Sequence, residues 1–157
     1  MELVIFTGLQ GSGKSTFYRT MFVETHQIVS KDLMKNVRKK NIREQQLISE
    51  ALAEGRSVVV DNTNPTPEDR IPLIELGHQY HALVIGYYFE SRVKDCLERN
   101  SWREGRARVP DVAIYATIKK LRPPSFREGF DQLFFVHIDR KRGYIITPWR
   151  ESSTHIA

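Results

Sequence analysis

The segment "GLQGSGKST", residues Gly8–Thr16, follows the apolar run "LVIFT" and precedes the helix-like "FYRTMFVE". Its spacing is Gly, four residues, then Gly-Lys-Ser, which is the form of a phosphate-binding loop. Glycine at positions 8, 11 and 13 lets the backbone turn tightly and bring its N–H groups against phosphate oxygens, since no Cβ stands in the way. The sequence therefore predicts a strand, a phosphate-binding loop and a helix, in that order.

The polar residues of this loop are the types that bind a nucleoside triphosphate. Lys14 is expected to reach the β- and γ-phosphates, and the Ser15 hydroxyl to fill one coordination position of Mg²⁺. The partial positive charge at the N-terminus of the following helix adds to the attraction. An ordinary strand–turn–helix joint is the alternative interpretation. The predicted nucleotide-binding residues are Gly8, Gly11, Ser12, Gly13, Lys14, Ser15 and Thr16.

Apolar, β-rich runs alternate with helix-length segments along the 157 residues. This alternation predicts an α/β fold with three layers, in which helices flank a mainly parallel sheet. The length fits one domain, which we place at residues 1–149, with a disordered tail at residues 150–157.

Local signals predict where several helices begin. "KDLMKNVRKK" indicates a helix over residues 31–40, and "REQQLISEALAEG" indicates another over residues 43–55. Thr66 as N-cap and Pro67 at the first helical position open a third helix. Ser91 is predicted as the N-cap of a fourth.

Two carboxylates follow predicted strands at the edge of the sheet that carries the glycine loop, where ligands of such sheets bind. Asp32, in "SKD", is able to orient an attacking hydroxyl, or only to complement a helix dipole. Asp61, in "VVVDNTNPT", ends an apolar strand, from which a carboxylate can hold a water on Mg²⁺ next to Ser15. Asn62 and Asn64 suit the turn that follows.

Composition limits the class of protein. The net charge of +5 fits a polyanionic partner or only a solvated helix face. No apolar run is long enough to cross a bilayer, and the lone Cys96 suits a reducing cytoplasm as a buried, inert thiol. A GTPase would be expected to contain an Asn-Lys-x-Asp segment that reads guanine, and this sequence contains none. The chain is also short for an ATPase motor. A cytoplasmic kinase of a small molecule or of nucleic acid is the prediction.

Four motifs together resemble one known family. "GLQGSGKSTF", "SKD", "VVVDNTNPT" and "RNSWREGRARVP", in this order and spacing, are similar to the kinase domain of the 5′-hydroxyl polynucleotide kinase family. "RPPSFREGFDQLFFV" also resembles the segment that closes this domain in the repair enzymes. The similarity covers roughly residues 2–139. It implies a P-loop kinase fold with an Arg-rich lid at about residues 99–110, and ATP and Mg²⁺ for transfer to 5′-OH ends of DNA or RNA.

The resemblance also implies roles for individual residues. Asp32 matches the general base, Lys14 the donor-phosphate lysine, and Arg103 the lid arginine that stabilises the transferring group. Arg99 is the second candidate for the lid role, which Arg106 and Arg108 are also able to share. In phage members an arginine stands three residues after the base and grips the acceptor phosphate. The acceptor-binding candidates of this chain are Asp32, Lys35 at that arginine position, Arg38, Asn62 and Asn64.

Two other functions stay open. One is a kinase of the same fold that acts on a small metabolite, a nucleoside or an aminoacylated tRNA. The other is a nucleotide-dependent binding module that hydrolyses ATP slowly and transfers nothing. The "DxDGT" motif of the accompanying phosphatase and a ligase lysine motif are both missing from these 157 residues.

Overall fold

The computed structural model describes residues 1–151, except for the side chain of Arg106, so residues 152–157 of the predicted tail lie outside the described part. The strands are β1 (Glu2–Thr7), β2 (Gln27–Val29), β3 (Val58–Val60), β4 (Leu83–Phe89), β5 (Gln132–Asp139) and β6 (Gly143–Pro148). The α-helices are α1 (Lys14–Met21), α2 (Lys40–Ala53), α3 (Pro67–Gln79), α4 (Val93–Ser101) and α5 (Asp111–Lys120). Short 3-10 turns span Lys31–Leu33, Gly105–Ala107 and Phe126–Glu128.

The strands form one sheet in the order β2-β3-β1-β4-β5-β6. The pairs β2–β3, β3–β1, β1–β4 and β4–β5 are parallel, and only β5–β6 is antiparallel. Each parallel crossover passes through a helix, as expected for strands that run the same way. The predicted α/β fold with a mainly parallel sheet is confirmed.

The core lies on both faces of the sheet, because alternate residues of β1 point in opposite directions. Leu3 and Ile5 pack with side chains of α2 and α3, including Ile48. Val4 and Phe6 pack on the other face with α1. All four of these β1 residues are fully buried. The predicted three layers are thus two helical layers around one central sheet.

Two expectations from composition concern the environment of the chain. Cys96 is fully buried, and burial raises the pKa of its thiol to about 11, so at neutral pH it is protonated and poorly nucleophilic. The predicted burial of this thiol is confirmed. Among the helices of residues 1–151, none has both the length and the apolar character that crossing a membrane requires.

One predicted helix start is confirmed and one is wrong. Thr66 caps α3: its Oγ1 accepts a hydrogen bond from Asp69 N at 3.2 Å, and Asp69 Oδ2 accepts one from Thr66 N at 3.2 Å. Ser91 does not cap α4, whose N-cap residue is Arg92. The buried Ser91 hydroxyl instead accepts from Leu9 N and donates to Phe89 O, so it ties the glycine loop to the end of β4.

The helix predicted over residues 31–40 is wrong. The chain forms only the 3-10 turn Lys31–Leu33 there, and α2 begins at Lys40. Met34 is extended and buried in the core, and Asn36 has a positive φ of 58°. Burial of Met34 therefore overrides the helix propensity of this lysine-rich segment.

A buried ion pair joins α3 to the 3-10 turn Phe126–Glu128. Arg70 is completely buried, and its Nε and Nη2 donate to the two carboxylate oxygens of Glu128 at 2.7 and 3.0 Å. Its Nη1 donates to Asn64 O at 2.9 Å. Glu128 Oε2 also accepts from Ser125 N, which completes a capping box with Ser125. The guanidinium is thereby bound on three of its nitrogens without contact with water.

Replacement of Glu128 by Ala is predicted to lower the free energy of unfolding by about 3–5 kcal/mol, because it leaves the Arg70 charge buried and unpaired. Urea denaturation of wild type and variant measures this. Glu54→Ala is the matched control, since it breaks the exposed Arg56–Glu54 pair and is expected to cost less than about 1 kcal/mol. If the two substitutions lowered the free energy of unfolding equally, the buried ion pair would stabilise the fold no more than the exposed one.

Candidate active site

Three turns that follow neighbouring parallel strands meet at one edge of the sheet. They are residues 8–13 after β1, 30–32 after β2 and 61–64 after β3. Asp61 N donates to Val29 O at 2.9 Å, and Gly8 N donates to Thr63 O at 3.0 Å. The residues 61–64, "DNTN", are therefore bonded through the backbone to the glycine loop on one side and to the end of β2, just before "SKD", on the other.

The glycine loop needs glycine at two positions for reasons of conformation and space. Gly11 and Gly13 have φ values of 80° and 98°, in the left-handed region that favours glycine. A Cβ on Gly11 would lie 2.5 Å from the carbonyl oxygen of Cys96 in α4. Tyr144 of β6 donates to Gly13 O at 2.9 Å. The loop is therefore clamped between α4 and the last strand.

Ser12 and Thr16, two further residues predicted to bind the nucleotide, differ in solvent exposure. Ser12 is 2% exposed, and its Oγ has no hydrogen-bond partner among the described residues. Thr16 is exposed in the first turn of α1, and its Oγ1 accepts from Arg19 Nη2 at 3.1 Å. Of these two, Ser12 has an unpaired donor within the loop.

Lys14 is held inside the loop. Its side chain is buried, and Nζ donates to Gly8 O at 3.0 Å and to Leu9 O at 2.8 Å. Burial lowers the pKa of Lys14; the carboxylate of Asp61 opposes this and the charge of Arg103 reinforces it. The lysine is thus positioned by carbonyls of the same loop whose N–H groups are predicted to bind phosphate.

The hydroxyl of Ser15 and the carboxylate of Asp61 face each other across the loop. Ser15 Oγ donates to Asp61 Oδ2 at 2.8 Å, and Asp61 is buried at the end of β3. Hydroxyl and carboxylate oxygens fit a hard cation such as Mg²⁺. No cluster of three or more His, Cys, Asp or Glu side chains that could hold a metal occurs in residues 1–151. This donor set therefore fits a cation that is shared with phosphate oxygens and water.

Asp32 lies in the 3-10 turn after β2 with its carboxylate exposed. Ser30 is the N-cap of that turn, and its Oγ accepts from Asp32 N at 3.3 Å. Ser30 is itself buried. The backbone of Asp32 is therefore fixed while its carboxylate stays accessible from the cleft.

Asn62 connects the turn of Asp32 to α2 through Glu44. Asn62 Oδ1 accepts from Lys31 N at 2.9 Å, and Asn62 Nδ2 donates to Glu44 Oε2 at 2.5 Å. Glu44 is only 4% exposed. Burial raises the pKa of Glu44, against the charge of Lys31 and the hydrogen bond from Asn62, which lower it. The Glu44 carboxylate accepts from the amide nitrogen of Asn62, so the amide oxygen of Asn62 faces the backbone N–H of Lys31, the residue before Asp32.

Asn64 has a mainly structural set of contacts. It is buried, it has a φ of 42°, and its Nδ2 donates to Phe6 O in β1 at 2.8 Å. Its carbonyl accepts from Arg70. Although Asn64 borders the cleft, its amide donor is already used to hold the turn against β1.

These groups line one cleft with a volume of about 420 Å³. The cleft brings together seven of the predicted site residues: Lys14, Ser15, Asp32, Asp61, Asn62, Asn64 and Arg103. Its other walls are Gln10, Lys31, Thr63, Pro65, Asp69, Ala107, Val109, Thr117 and Lys120. Both candidate carboxylates and the loop lysine thus share a single space.

The two candidate lid arginines lie in different positions. Arg103 borders the cleft, and its Nη1 donates to Ala107 O at 3.1 Å. Arg99 belongs to α4, donates to Gly11 O at 3.1 Å and lines a separate cavity of about 640 Å³. Arg108 is exposed, and the side chain of Arg106 lies outside the described part. Arg103 is therefore the guanidinium that shares the space of Asp32 and Lys14.

Two acceptor-binding candidates do not line the cleft. Lys35 is exposed beyond the end of the 3-10 turn, and Arg38 lines a different surface cavity of about 450 Å³ together with Lys39 and Lys40. A residue three positions after Asp32 would share its face only in a continuous helix. Since the turn ends at Leu33, that relation is lost.

Sequence reasoning did not name four residues that shape the site as individual site residues, namely Gln10, Lys31, Glu44 and Lys120. Gln10 is inside the quoted loop motif, and Lys31 is next to Asp32, so position along the chain was an available signal for these two. Glu44 and Lys120 come from α2 and α5, and only the tertiary structure brings them to the turns after β2 and β3.

A lysine and a serine of a glycine loop, set against a carboxylate at the end of a parallel strand, define a nucleotide-binding P-loop protein. The chain belongs to the AAA domain family, whose model matches residues 3–124. Within that class it is a P-loop kinase, and its relatives include a bifunctional polynucleotide phosphatase/kinase.

One relative and two solved structures illustrate the similarity. The bifunctional polynucleotide phosphatase/kinase of Schizosaccharomyces pombe is 29% identical over 133 residues, which cover 82% of this chain and 32% of that protein. Kti12 of Chaetomium thermophilum, in complex with ADP-AlF3, is 16% identical with a TM-score of 0.71, covering 88% of this chain and 92% of that chain. A gluconokinase from Sinorhizobium meliloti 1021 is 19% identical with a TM-score of 0.61, covering 88% and 83%.

These similarities have different extents. The chain spans about a third of the length of the yeast relative, so the two proteins are comparable only over that part. Kti12 and the gluconokinase match over most of both chains, which shows that the fold is shared. The resemblance to the polynucleotide kinase domain that the motifs indicated is confirmed.

The raised pKa of Glu44 predicts how stability changes with pH. The folded protein binds this proton more tightly than the unfolded chain, so stability falls as pH rises from the ordinary value of 4.5 through the raised folded pKa. Glu44→Gln is predicted to remove that decrease, which is at most about 1.4 kcal/mol per pH unit. Urea denaturation between about pH 4 and 8 measures it.

Glu50→Gln is the control, because Glu50 is exposed on the same helix. It is expected to keep the pH dependence of the wild type. The same slope in wild type and Glu44→Gln would contradict the assignment of the effect to Glu44.

Proposed function

We propose that this chain is an ATP-dependent polynucleotide 5′-hydroxyl kinase that transfers the γ-phosphate of ATP to 5′-OH ends of DNA or RNA, in nucleic-acid end repair. The observation that carries the proposal is that Asp32 shares one cleft with Lys14 and Arg103. An exposed carboxylate, a buried ammonium and a guanidinium around one space are what phosphoryl transfer to a hydroxyl requires. The name of the yeast relative supports the choice of acceptor.

In this proposal the donor phosphates lie on the glycine loop. The N–H groups of residues 11–13 and the N-terminus of α1 face the phosphate oxygens. Lys14 exchanges its bonds with the carbonyls of Gly8 and Leu9 for bonds to the β- and γ-phosphates. Ser15 and Asp61 are the residues that would hold Mg²⁺, Asp61 through water, and the ion would neutralise charge on the phosphates.

Asp32 acts on the acceptor. Its carboxylate accepts the proton of the 5′-hydroxyl as the oxygen forms a bond to the γ-phosphorus, and the bond from that phosphorus to the bridging oxygen of ADP breaks. Arg103 gives up its hydrogen bond to Ala107 O and then binds the transferring phosphate, because a guanidinium can bridge two phosphate oxygens. The hydrogen bond from Asp32 N to Ser30 Oγ fixes the backbone of Asp32, so its carboxylate can orient the attacking hydroxyl.

A second candidate is a P-loop kinase of a small metabolite, nucleoside or aminoacylated tRNA. The volume of about 420 Å³ favours it, because this is the size of a site for a small ligand. The gluconokinase shows that the fold accommodates that class of enzyme. The exposed Asp32 favours the polymer instead, as do residues 31–43, which contain six Lys or Arg and one Asp.

Transfer of labelled phosphate from ATP to short 5′-OH oligonucleotides tests the proposed function. Wild type is expected to label the 5′ end. Lys14→Ala and Asp32→Ala are expected to abolish transfer almost completely, since they remove the donor contact and the base. Arg103→Ala is expected to reduce kcat by about 10³-fold or more. Single- and double-stranded DNA and RNA serve as acceptors.

Glu50→Ala is the control variant, because Glu50 is exposed on α2 and does not line the cleft. It is expected to transfer phosphate as wild type does. Phosphorylation of sugars or nucleosides but not of oligonucleotides would favour the second candidate. Undiminished transfer by Asp32→Ala would exclude the mechanism while leaving the acceptor class in place. ATP hydrolysis without transfer to any acceptor would identify a nucleotide-dependent binding module.

A further inference from the structure

We infer that Tyr144 is a positioning residue for ATP, because its hydroxyl fixes the direction of the peptide group between Gly13 and Lys14. Tyr144 lies in β6, outside the motifs quoted from the sequence and outside the lining of the cleft. The inference rests on the part of the proposed function that places the donor phosphates on the glycine loop. It does not depend on which acceptor the protein uses.

The first step of the argument is that both acceptor positions of the Gly13 carbonyl are occupied. Gly13 is the N-cap of α1, and its oxygen accepts a hydrogen bond from Phe17 N at 3.0 Å, within the first turn of the helix. The same oxygen accepts a second hydrogen bond from the Tyr144 hydroxyl at 2.9 Å. A carbonyl oxygen has two lone pairs, so these two donors together set its direction.

The second step is the consequence for the next N–H group. A peptide group is planar and trans, so its carbonyl and its N–H point in opposite directions. The direction of the Gly13 carbonyl therefore fixes the direction of the Lys14 N–H. At the start of α1 this N–H has no carbonyl partner within the helix. It is one of the donors that the N-terminus of a helix offers to a phosphate.

The third step is that the side chain of Tyr144 is itself held in place. Its ring packs against the fully buried ring of Phe17, with the centroids 5.0 Å apart in a T-shaped arrangement. The turn that leads into β6 is held by Asp139, whose Oδ1 accepts from Lys141 N at 2.8 Å and from Arg142 N at 3.0 Å. The hydroxyl is thus attached to a ring fixed by the core and to a strand fixed by its turn.

The fourth step is that the Tyr144 hydroxyl lies against Gly13 in its donating form. Ile138 and Tyr144 are opposite each other across β5 and β6, and together they cover Gly13. A Cβ on Gly13 would lie 2.8 Å from Ile138 Cδ1 and 3.3 Å from the Tyr144 hydroxyl. Burial raises the pKa of Tyr144, against a hydrogen bond with the Thr16 side chain that lowers it. At neutral pH the hydroxyl is therefore protonated and able to donate.

Calorimetric titration with MgATP tests the inference without any acceptor. Tyr144→Phe removes the hydroxyl and keeps the ring that packs against Phe17. It is expected to raise the Kd for ATP by about 3- to 10-fold, the size of one hydrogen bond, because the Lys14 N–H is no longer held toward the phosphate. In phosphorylation kinetics the KM for ATP is expected to rise by the same factor, whereas kcat and the acceptor KM stay as in wild type.

Tyr18→Phe is the matched control. The Tyr18 hydroxyl also donates to a backbone carbonyl, that of His26 at 2.6 Å, but His26 lies beyond the C-terminal end of α1. This variant is expected to lose about as much thermal stability as Tyr144→Phe and to keep the wild-type Kd for ATP. If both variants weakened ATP binding in proportion to their loss of Tm, the role of Tyr144 would be structural only and the inference would be wrong.

Inorganic tripolyphosphate isolates the phosphate contact from the rest of the nucleotide. As a competitor of ATP, it is expected to bind Tyr144→Phe more weakly than wild type by the same factor as ATP does. An unchanged affinity of Tyr144→Phe for either ligand would overturn the inference. A wild type that binds neither ligand would overturn the proposed function as well. A wild type that binds ATP more tightly than Tyr144→Phe but labels no 5′-hydroxyl would support the inference and overturn the proposed acceptor alone.

Discussion

The site depends on one constraint, which is that the polar turn at residues 61–64 is packed between strands and must satisfy its hydrogen bonds there. A buried polar group without a partner costs about 1–3 kcal/mol. Asp61 is therefore bonded to β2 through its N–H, Asn64 is bonded to β1 through its amide, and Asn62 is bonded to α2 and to the turn of Asp32. One short turn thus sets the relative positions of the glycine loop and the proposed base.

The same turn is supported from outside the sheet by a segment far along the chain. Arg70 holds the carbonyl of Asn64, and Glu128 holds Arg70, while Arg122 N is bonded to Pro65 O. The stretch "RPPSFREGF", which resembles the end of the kinase domain in the repair enzymes, therefore has a physical task in this structure. It fixes the turn that carries Asp61 without lining the cleft with its own side chains.

The fold could be predicted from the sequence because its signals are local. Buried parallel strands such as β3 are continuous apolar runs, the glycine loop has a fixed spacing, and Thr66 with Pro67 marks the start of α3. The helix over residues 31–40 was mispredicted because Met34 gains more from the core than the lysine-rich segment gains from helix propensity. Tertiary packing decided that segment, and no local pattern records it.

The candidate site could be predicted only in part, for a related reason. Lys14, Ser15, Asp32 and Asp61 follow strands, so the rule that ligands bind at the carboxyl edge of a parallel sheet brings them together. Glu44 and Lys120 lie on helices among other charged residues, where a buried carboxylate and a cleft lysine have the same sequence pattern as solvated ones. The partner of Glu44 is Asn62, 18 residues away, and Lys120 reaches the cleft only because α5 packs beside it.

The exposure of these groups divides the cleft into two functional sides. On the proposed donor side, Lys14 and Asp61 are buried and hydrogen-bonded, so their backbone positions are set by the core of the fold. On the proposed acceptor side, Asp32 is exposed on a fixed backbone. The residues that we propose for the donor are therefore fixed by the core of the fold, whereas the proposed base lies on the surface.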